Sequence, residues 1–330
     1  MDRNTNPEAI EIGVVGLGLM GTSIIVALLL AGHKVKAVAP VSSDLLLAKS
    51  RIDAHLDECS RNRFVHGRLY PFEANLQLSE NYKTLKTCRL VLECVIEDLA
   101  IKSVVYKKIA EAVEADVVIA SNTSAIAITS LQELVPHPER FLGIHWAEPA
   151  YATRFLEITC GEKTCMNYAE WIFNLAHEWG KEPTLLRKDI RGFITNRLMY
   201  AAYREIIHMV EQGRITIQDA DKAFRYDAGS WITLMGIFRR MDFTGLQDWA
   251  VVLQNVLPSL SNERRVPPIM QRMVDINARG TQNLKGLYAY SANEAKEWEE
   301  AFAAFNKDIF RLAAQYPSLR KEPEKIKRSA

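Results

Sequence analysis

The chain is short of cysteine and of any cysteine pattern. Its five, Cys59, Cys88, Cys94, Cys160 and Cys165, form no C-x-x-C pair, and an odd number closes no disulfide framework. Excess charge is missing as well: 41 Lys and Arg against 40 Asp and Glu leave a formal +1 in 330 residues. That balance gives no electrostatic footing for nucleic acid or anionic lipid as a partner. The opening residues, MDRNTNPEAIE, lack the basic and then apolar order of a secretory signal. Reduced thiols without an export signal set the expectation of a cytoplasmic protein. No internal repeat and no second long apolar run is visible. The remaining composition, 48% hydrophobic and 25% charged, is that of a globular protein long enough for two domains.

The one long apolar run is residues 12–32, IGVVGLGLMGTSIIVALLLAG, 21 residues without a charge. A membrane span needs about 20. The glycines speak against one, because each costs a helix about 1 kcal/mol relative to alanine. Gly16, Gly18 and Gly21 instead fall as G-x-G-x-x-G, after a short apolar strand (12–15) and at the head of a helix (22–31) that Gly32 ends. The first glycine allows a tight turn, the second lets backbone approach a pyrophosphate, and the third lets helix pack on strand. Leu19 and Met20 complete the turn, GLGLMG. Freed N–H groups and the positive end of the helix favour an anion there. The pattern is therefore read as a dinucleotide site, with a ligand-free glycine turn as the plain alternative. One part is absent. The second strand (35–39) ends on Ala39, about 20 residues on, where a carboxylate for the adenosine ribose belongs. Ser42, Ser43 and Asp44 stand nearby as substitutes, and no arginine stands there for a 2′-phosphate. NAD is the expected cofactor, with NADP left open by Ala39.

Further apolar runs at 89–95 and 115–120 enclose helical spacing at 102–113, and strands follow at 141–146 and 154–159. Strands alternating with helices predict an α/β domain over residues 1–190, a Rossmann-type, mostly parallel sheet covered on both faces. After KDIRG (188–192) the pattern turns helical, which makes 191–330 an all-α C-terminal domain with a helical tail. Ile194, Leu198, Ala202, Ile206 and Val210 recur every four residues, Gly213 suits a C-cap and Thr216 starts the next helix. Ser291-x-x-Glu294 is a capping box ahead of one apolar stripe, Trp298, Phe302, Phe305, Ile309 and Leu312. Intramolecular core is the first expectation for that stripe, contact with a partner the second. The last ten residues, KEPEKIKRSA, read as a solvated tail.

Ligands of open parallel sheets sit at the carboxyl ends of the strands. Three such ends carry polar clusters: ECVIED (93–98), SNTS (121–124) and the His145 of FLGIHW. Glu157, inside RFLEIT, is a carboxylate in an otherwise apolar strand, and burial without a partner would cost it several kcal/mol. His145, twelve residues earlier, is the obvious partner. Such a pair has a use beside a nicotinamide: neutral imidazole takes the hydroxyl proton of a secondary alcohol, and the carboxylate fixes the ring and steadies the imidazolium. Ser124 and Asn196 are hydrogen-bond donors for the developing oxyanion. The same two residues also read as a core histidine with a structural partner.

In order along the chain, GLGLMG, ECVIED, SNTSAIAITSL, GIHWAEP, RFLEIT and GFITNRL, then more loosely LKGLYAY, resemble the 3-hydroxyacyl-CoA dehydrogenase family. The resemblance implies a nucleotide-binding domain followed by a helical domain that dimerises, and hence a homodimer through the C-terminal domain. It implies catalytic roles for His145, Glu157, Ser124 and Asn196. It implies cofactor contacts for Glu97, Lys102 and Asn122 beside Gly16, Gly18, Leu19, Met20 and Gly21, and it calls for no metal. The implied reaction is NAD(P)-dependent oxidation of a 3-hydroxyacyl-CoA to the 3-oxoacyl-CoA. Departures keep an alternative open. Ala39 replaces the ribose-binding aspartate, and Glu148 stands where an asparagine lies near the nicotinamide. The family's CoA-binding serine and lysine match His55 and Asn62, with Arg61, Arg63 and Arg68 as other phosphate partners or as a solvated basic face. Relatives that look like the L-gulonate and carnitine dehydrogenases suggest a free small 3-hydroxy acid instead. A non-catalytic NAD-binding sensor is the third reading, which loss of a catalytic residue would have favoured.

Overall fold

Short runs of β-branched and aliphatic residues, apolar on both faces, suit a parallel sheet buried between helices. In the computed structural model, which describes residues 4–62, 72–313 and 316, eight strands form one such sheet. They are β1 (Glu11–Val15), β2 (Lys34–Val38), β3 (Leu76–Ser79), β4 (Leu90–Glu93), β5 (Val118–Ser121), β6 (Phe141–Trp146), β7 (Phe155–Cys160) and β8 (Glu182–Leu186). Their order is β3-β2-β1-β4-β5-β6-β7-β8. Neighbours run parallel from β3 to β6, β7 pairs antiparallel with β6, and β8 runs parallel to β7. Chain order reverses between β1 and β4, so the crevice beyond their carboxyl ends is the place for a ligand.

The apolar run of residues 12–32 is thus a strand, a turn and a helix. Helix α1 (Leu19–Leu30) buries every residue from Gly21 to Leu29. It is apolar around its whole circumference because it shares one core with Ile12 and Val14 of β1 and with Ala48 and Ile52 of α2 (Ser42–Asn62). Among the described residues no helix is long and apolar enough to cross a membrane. All five cysteines are free, and burial pushes the Cys59 and Cys88 thiols up to about 12, which keeps them protonated and inert.

Two edge strands escape the sequence reading. LQLS of β3 and EPTLL of β8 are short and half exposed, and Pro183 is tolerated because β8 lies on an edge. β5 begins later than expected, because Val117 N–H closes a turn on the Glu114 carbonyl and the strand starts at Val118.

The chain divides into two compact units, Met1–Arg197 and Leu198–Ala330. The second is helical in its described part. Thr216 caps the helix Ile217–Ala223 through the Asp219 N–H at 3.0 Å. The capping box closes in both directions: Ser291 N–H donates to Glu294 at 2.8 Å, and Glu294 N–H donates to the Ser291 hydroxyl at 3.2 Å. The helix Ala292–Ala313 that follows corrects the core expectation for its stripe. Trp298 is 55%, Phe302 62%, Phe305 59% and Leu312 46% exposed. In this unit only Ala220, Ser261 and Ala295 are buried among the described residues. The tail KEPEKIKRSA lies outside the described residues.

Candidate active site

Each glycine of the turn has a separate steric reason. Gly16 has φ +101°, and a side chain there would press on the Cys94 carbonyl, with its oxygen at 2.7 Å. A Cβ at Gly21 would collide with the Gly16 carbonyl oxygen, so this glycine brings α1 against the turn. Around Gly18, the N-cap of α1, a Cβ would meet nothing within 4 Å. That open space, next to a helix N-terminus that no side chain caps, is what a pyrophosphate needs. The residues present therefore fit a dinucleotide. Ala39 is buried, and its N–H is spent on Ser79 of β3.

At the end of β4, Glu93 is fully buried and surrounded by donors. The Lys102 ammonium reaches its two oxygens at 2.8 and 2.9 Å, Tyr106 and Ser121 donate at 2.7 Å each, and Val95 N–H at 2.8 Å. A buried carboxylate needs such satisfaction. Lys102 comes from the helix Leu99–Ala112, is 1% exposed, and also lies 3.2 Å from Glu97. Its ammonium is thus inside the domain, and Glu97, whose side chain is 39% exposed, is the member of the group that faces outward. One Glu97 oxygen accepts from the Thr123 hydroxyl and from the Ser124 and Ala125 N–H groups at 3.1 and 3.3 Å. Burial works to raise the Glu97 pKa. The Thr123 hydroxyl, the Lys102 ammonium and the Ala125 N–H outweigh it and hold the carboxyl below its ordinary range.

Antiparallel pairing of β6 and β7 sets His145 directly opposite Glu157. The His145 Nδ1 lies 3.3 Å from Glu157 Oε2, and Nε2 lies 3.2 Å from the Ser124 hydroxyl. Glu157 is fully buried; its other oxygen accepts from Ile194 and Thr195 N–H at 2.7 and 3.2 Å. These are amides at the head of the helix Thr195–Glu211, where backbone dipoles favour an anion. The His145 ring is held between Phe155 and Phe193, centroids 5.6 and 5.9 Å away. Asn196 Nδ2 donates to the Ser124 carbonyl at 3.1 Å, and Asn122 Oδ1 accepts from Trp146 N–H at 3.0 Å, fixing the end of β5 to the end of β6. His145, Glu157, Ser124 and Asn196 are therefore one contiguous cluster. Glu97 joins it through the SNTSA loop. Asn122 borders it, and Leu19 and Met20 lie on the glycine turn at the carboxyl end of β1.

Several members carry no signal in the linear sequence. Lys181 is buried and donates to the carbonyls of Ala150 and Thr153, holding the loop that leaves β6. Burial, helped by nearby Arg154, pushes it down to about 7. Phe193 adopts φ +51°, a conformation costly for a bulky residue and common at functional sites. Glu93 was within reach of sequence reasoning: like Glu157, it is an acid in an apolar strand. His55, at the place matched to a CoA serine, is bonded to the Tyr151 hydroxyl at 3.1 Å, and that hydroxyl donates to Glu58 at 2.7 Å. Of the basic cluster, Arg61 is exposed at the end of α2, and Arg63 and Arg68 lie outside the described residues.

Comparison with known proteins places these features in a family. The profile of the 3-hydroxyacyl-CoA dehydrogenase NAD-binding domain matches residues 11–190, and that of the 3-hydroxyacyl-CoA dehydrogenase C-terminal domain matches 192–290. The 5-formyl-3-hydroxy-2-methylpyridine 4-carboxylate 5-dehydrogenase of Mesorhizobium japonicum is 30% identical, over 87% of this chain and 92% of that one. The mitochondrial hydroxyacyl-coenzyme A dehydrogenase of Sus scrofa is 26% identical, over 85% of this chain and 91% of that one. Among solved structures, a 5-formyl-3-hydroxy-2-methylpyridine 4-carboxylic acid 5-dehydrogenase, described as an NAD+-dependent dismutase, superposes with TM-score 0.85 at 27% identity, covering 93% of this chain and 99% of that one. The (S)-3-hydroxybutyryl-CoA dehydrogenase of Ralstonia eutropha gives 0.70 at 25% identity, covering 85% and 99%.

Proposed function

As the chain belongs to the 3-hydroxyacyl-CoA dehydrogenase family, and is an NAD-dependent oxidoreductase acting on CH–OH groups, we propose that it oxidises a small hydroxylated substrate that carries no CoA, with His145 and Glu157 as the general-base pair. The observation that carries the chemistry is the line Ser124–His145–Glu157, with contacts of 3.2 and 3.3 Å. Glu157, an acceptor on both oxygens, places the ring proton on Nδ1 and leaves the Nε2 lone pair facing Ser124. A substrate hydroxyl held by Ser124 gives its proton to Nε2, and the buried carboxylate stabilises the imidazolium. Asn196 and Glu97 keep Ser124 in place from either side of its peptide unit. Bound on the glycine turn, NAD supplies the hydride acceptor.

Two observations favour a substrate without CoA. The structural likeness to an enzyme named for a free pyridine carboxylate exceeds that to the hydroxybutyryl-CoA enzyme, TM-score 0.85 against 0.70. Along α2, His55, the residue matched to a CoA-binding serine, is bonded to the Tyr151 hydroxyl, which in turn donates to the Glu58 carboxylate, a charge that disfavours a phosphate beside it. The second reading, a 3-hydroxyacyl-CoA, is favoured by the relatives named for acyl-CoA substrates. The deciding experiment offers the purified protein NAD with free 3-hydroxy acids, hydroxymethyl and formyl pyridine carboxylates, and 3-hydroxyacyl-CoAs, and follows reduced nicotinamide. Turnover of free acids or pyridines is expected; turnover of acyl-CoAs alone would overturn the CoA-free reading.

The assembly is proposed to be a homodimer through Leu198–Ala330. A helical unit of this size buries only three residues among those described and leaves one apolar stripe in water, the kind of exposed patch that marks an interaction surface. Light scattering is expected to give twice the 37.4 kDa chain mass at micromolar concentration, and Phe302→Asp to shift the protein to monomer with a lowered Tm. A wild-type monomer would refute it.

A further inference from the structure

Ala39, the residue after β2, offers only a methyl group, and it is 2% exposed, so it has nothing with which to hold a ribose hydroxyl. The acid expected there does two things: it accepts hydrogen bonds from the ribose and it repels a 2′-phosphate. The missing carboxylate has a counterpart one short loop later. Asp44 lies in the first turn of α2, and Arg51 stands seven residues further, two turns along the same face. The Arg51 guanidinium donates to the carbonyl oxygen of Leu17, inside the glycine turn, at 3.0 Å. The same nitrogen lies 3.7 Å from Oδ1 of Asp44. One guanidinium thereby ties the helix carboxylate to the turn that accommodates the pyrophosphate. Both side chains are 37% exposed, anchored on one side and open to a ligand on the other.

We propose that Asp44, oriented by Arg51, is the residue that reads the adenosine ribose of the cofactor, a specificity-determining carboxylate delivered by α2 instead of β2. Its oxygens accept from the ribose hydroxyls, and its charge disfavours a dinucleotide phosphorylated at the 2′ position. Arg51 is a positioning residue. Its Nη1 donates to the Leu17 carbonyl and lies beside Asp44, so its charge is already matched by a carboxylate. Sequence spacing offers Asp44 only alongside Ser42 and Ser43; the Arg51 contacts are what single it out.

The inference rests on NAD lying on the glycine turn and is independent of which alcohol is oxidised. Its test therefore reads cofactor binding without substrate. NAD and NADP are titrated calorimetrically into the full chain and into Asp44→Asn, Asp44→Glu, Arg51→Leu and Arg51→Lys. Asp44→Asn is expected to weaken NAD about tenfold, the worth of one charge-assisted hydrogen bond, and to strengthen NADP. Asp44→Glu should retain most of the NAD preference. Arg51→Leu should follow Asp44→Asn with a smaller shift, and Arg51→Lys should restore it. An unchanged NAD-to-NADP affinity ratio in Asp44→Asn would overturn the proposal. So would a wild-type protein that prefers NADP and loses it selectively in Arg51→Leu, because Arg51 would then be reading a phosphate.

Discussion

Replacing His145 by glutamine is expected to lower kcat by about 10²–10⁴-fold, the usual contribution of a positioned general base, while the Kd for NAD stays within about twofold. The split follows from where the ring sits. His145 is on β6, three strands away from the β1 turn that fits the pyrophosphate, and its polar neighbours are Glu157 and Ser124. Glutamine fills similar space between Phe155 and Phe193 and still bonds Ser124, but it takes no proton at neutral pH. Glu157→Gln should reduce kcat on a similar scale for a different reason. Its amide can donate to Nδ1, which moves the ring proton to Nε2 and removes the lone pair that the substrate hydroxyl needs. Rates come from single-turnover absorbance of reduced nicotinamide, and affinities from calorimetry. Equal loss of turnover and NAD binding in His145→Gln would assign the histidine a structural role.

How much of this was legible in the chain depends on whether the responsible interaction is local. The glycine turn was, because strand, turn and helix are consecutive and the G-x-G-x-x-G spacing sits within one stretch. The His145–Glu157 pair was, because the strands that carry them are consecutive and a carboxylate in RFLEIT demands a partner. The edge strands β3 and β8 were not: their pairing is decided by sheet neighbours, not by their own hydrophobicity. Asp44 stood beside Ser42 and Ser43 as a substitute for the missing ribose carboxylate, but Arg51 carried no signal until its contact with the Leu17 carbonyl was seen. The stripe from Trp298 to Leu312 showed the right periodicity, yet periodicity says only that a face is to be covered. What covers it is not written in that helix, and in the chain those rings are exposed.

Lys102→Met is expected to cost about 3–5 kcal/mol of stability, because it strands the Glu93 carboxylate in the domain interior without a counter-charge. Methionine matches the length and volume of the lysine stem, so the loss isolates the ammonium from the packing. Tyr106, Ser121 and Val95 would still donate to Glu93, which keeps the cost toward the lower end if the carboxylate stays ionised. The double variant Glu93→Gln with Lys102→Met removes both charges and should recover a large part of the loss, since a neutral buried pair escapes the desolvation penalty. Chemical denaturation of the four proteins gives the coupling energy. The same ammonium also faces Glu97, the carboxylate that holds Thr123, Ser124 and Ala125, so the folded Lys102→Met enzyme should turn over more slowly at saturating NAD. Recovered stability without recovered kcat in the double variant is the expected signature of a group that both pairs Glu93 and positions the Ser124 loop. Full recovery of both would reduce Lys102 to a counter-ion, and additive losses would show that the two charges act independently.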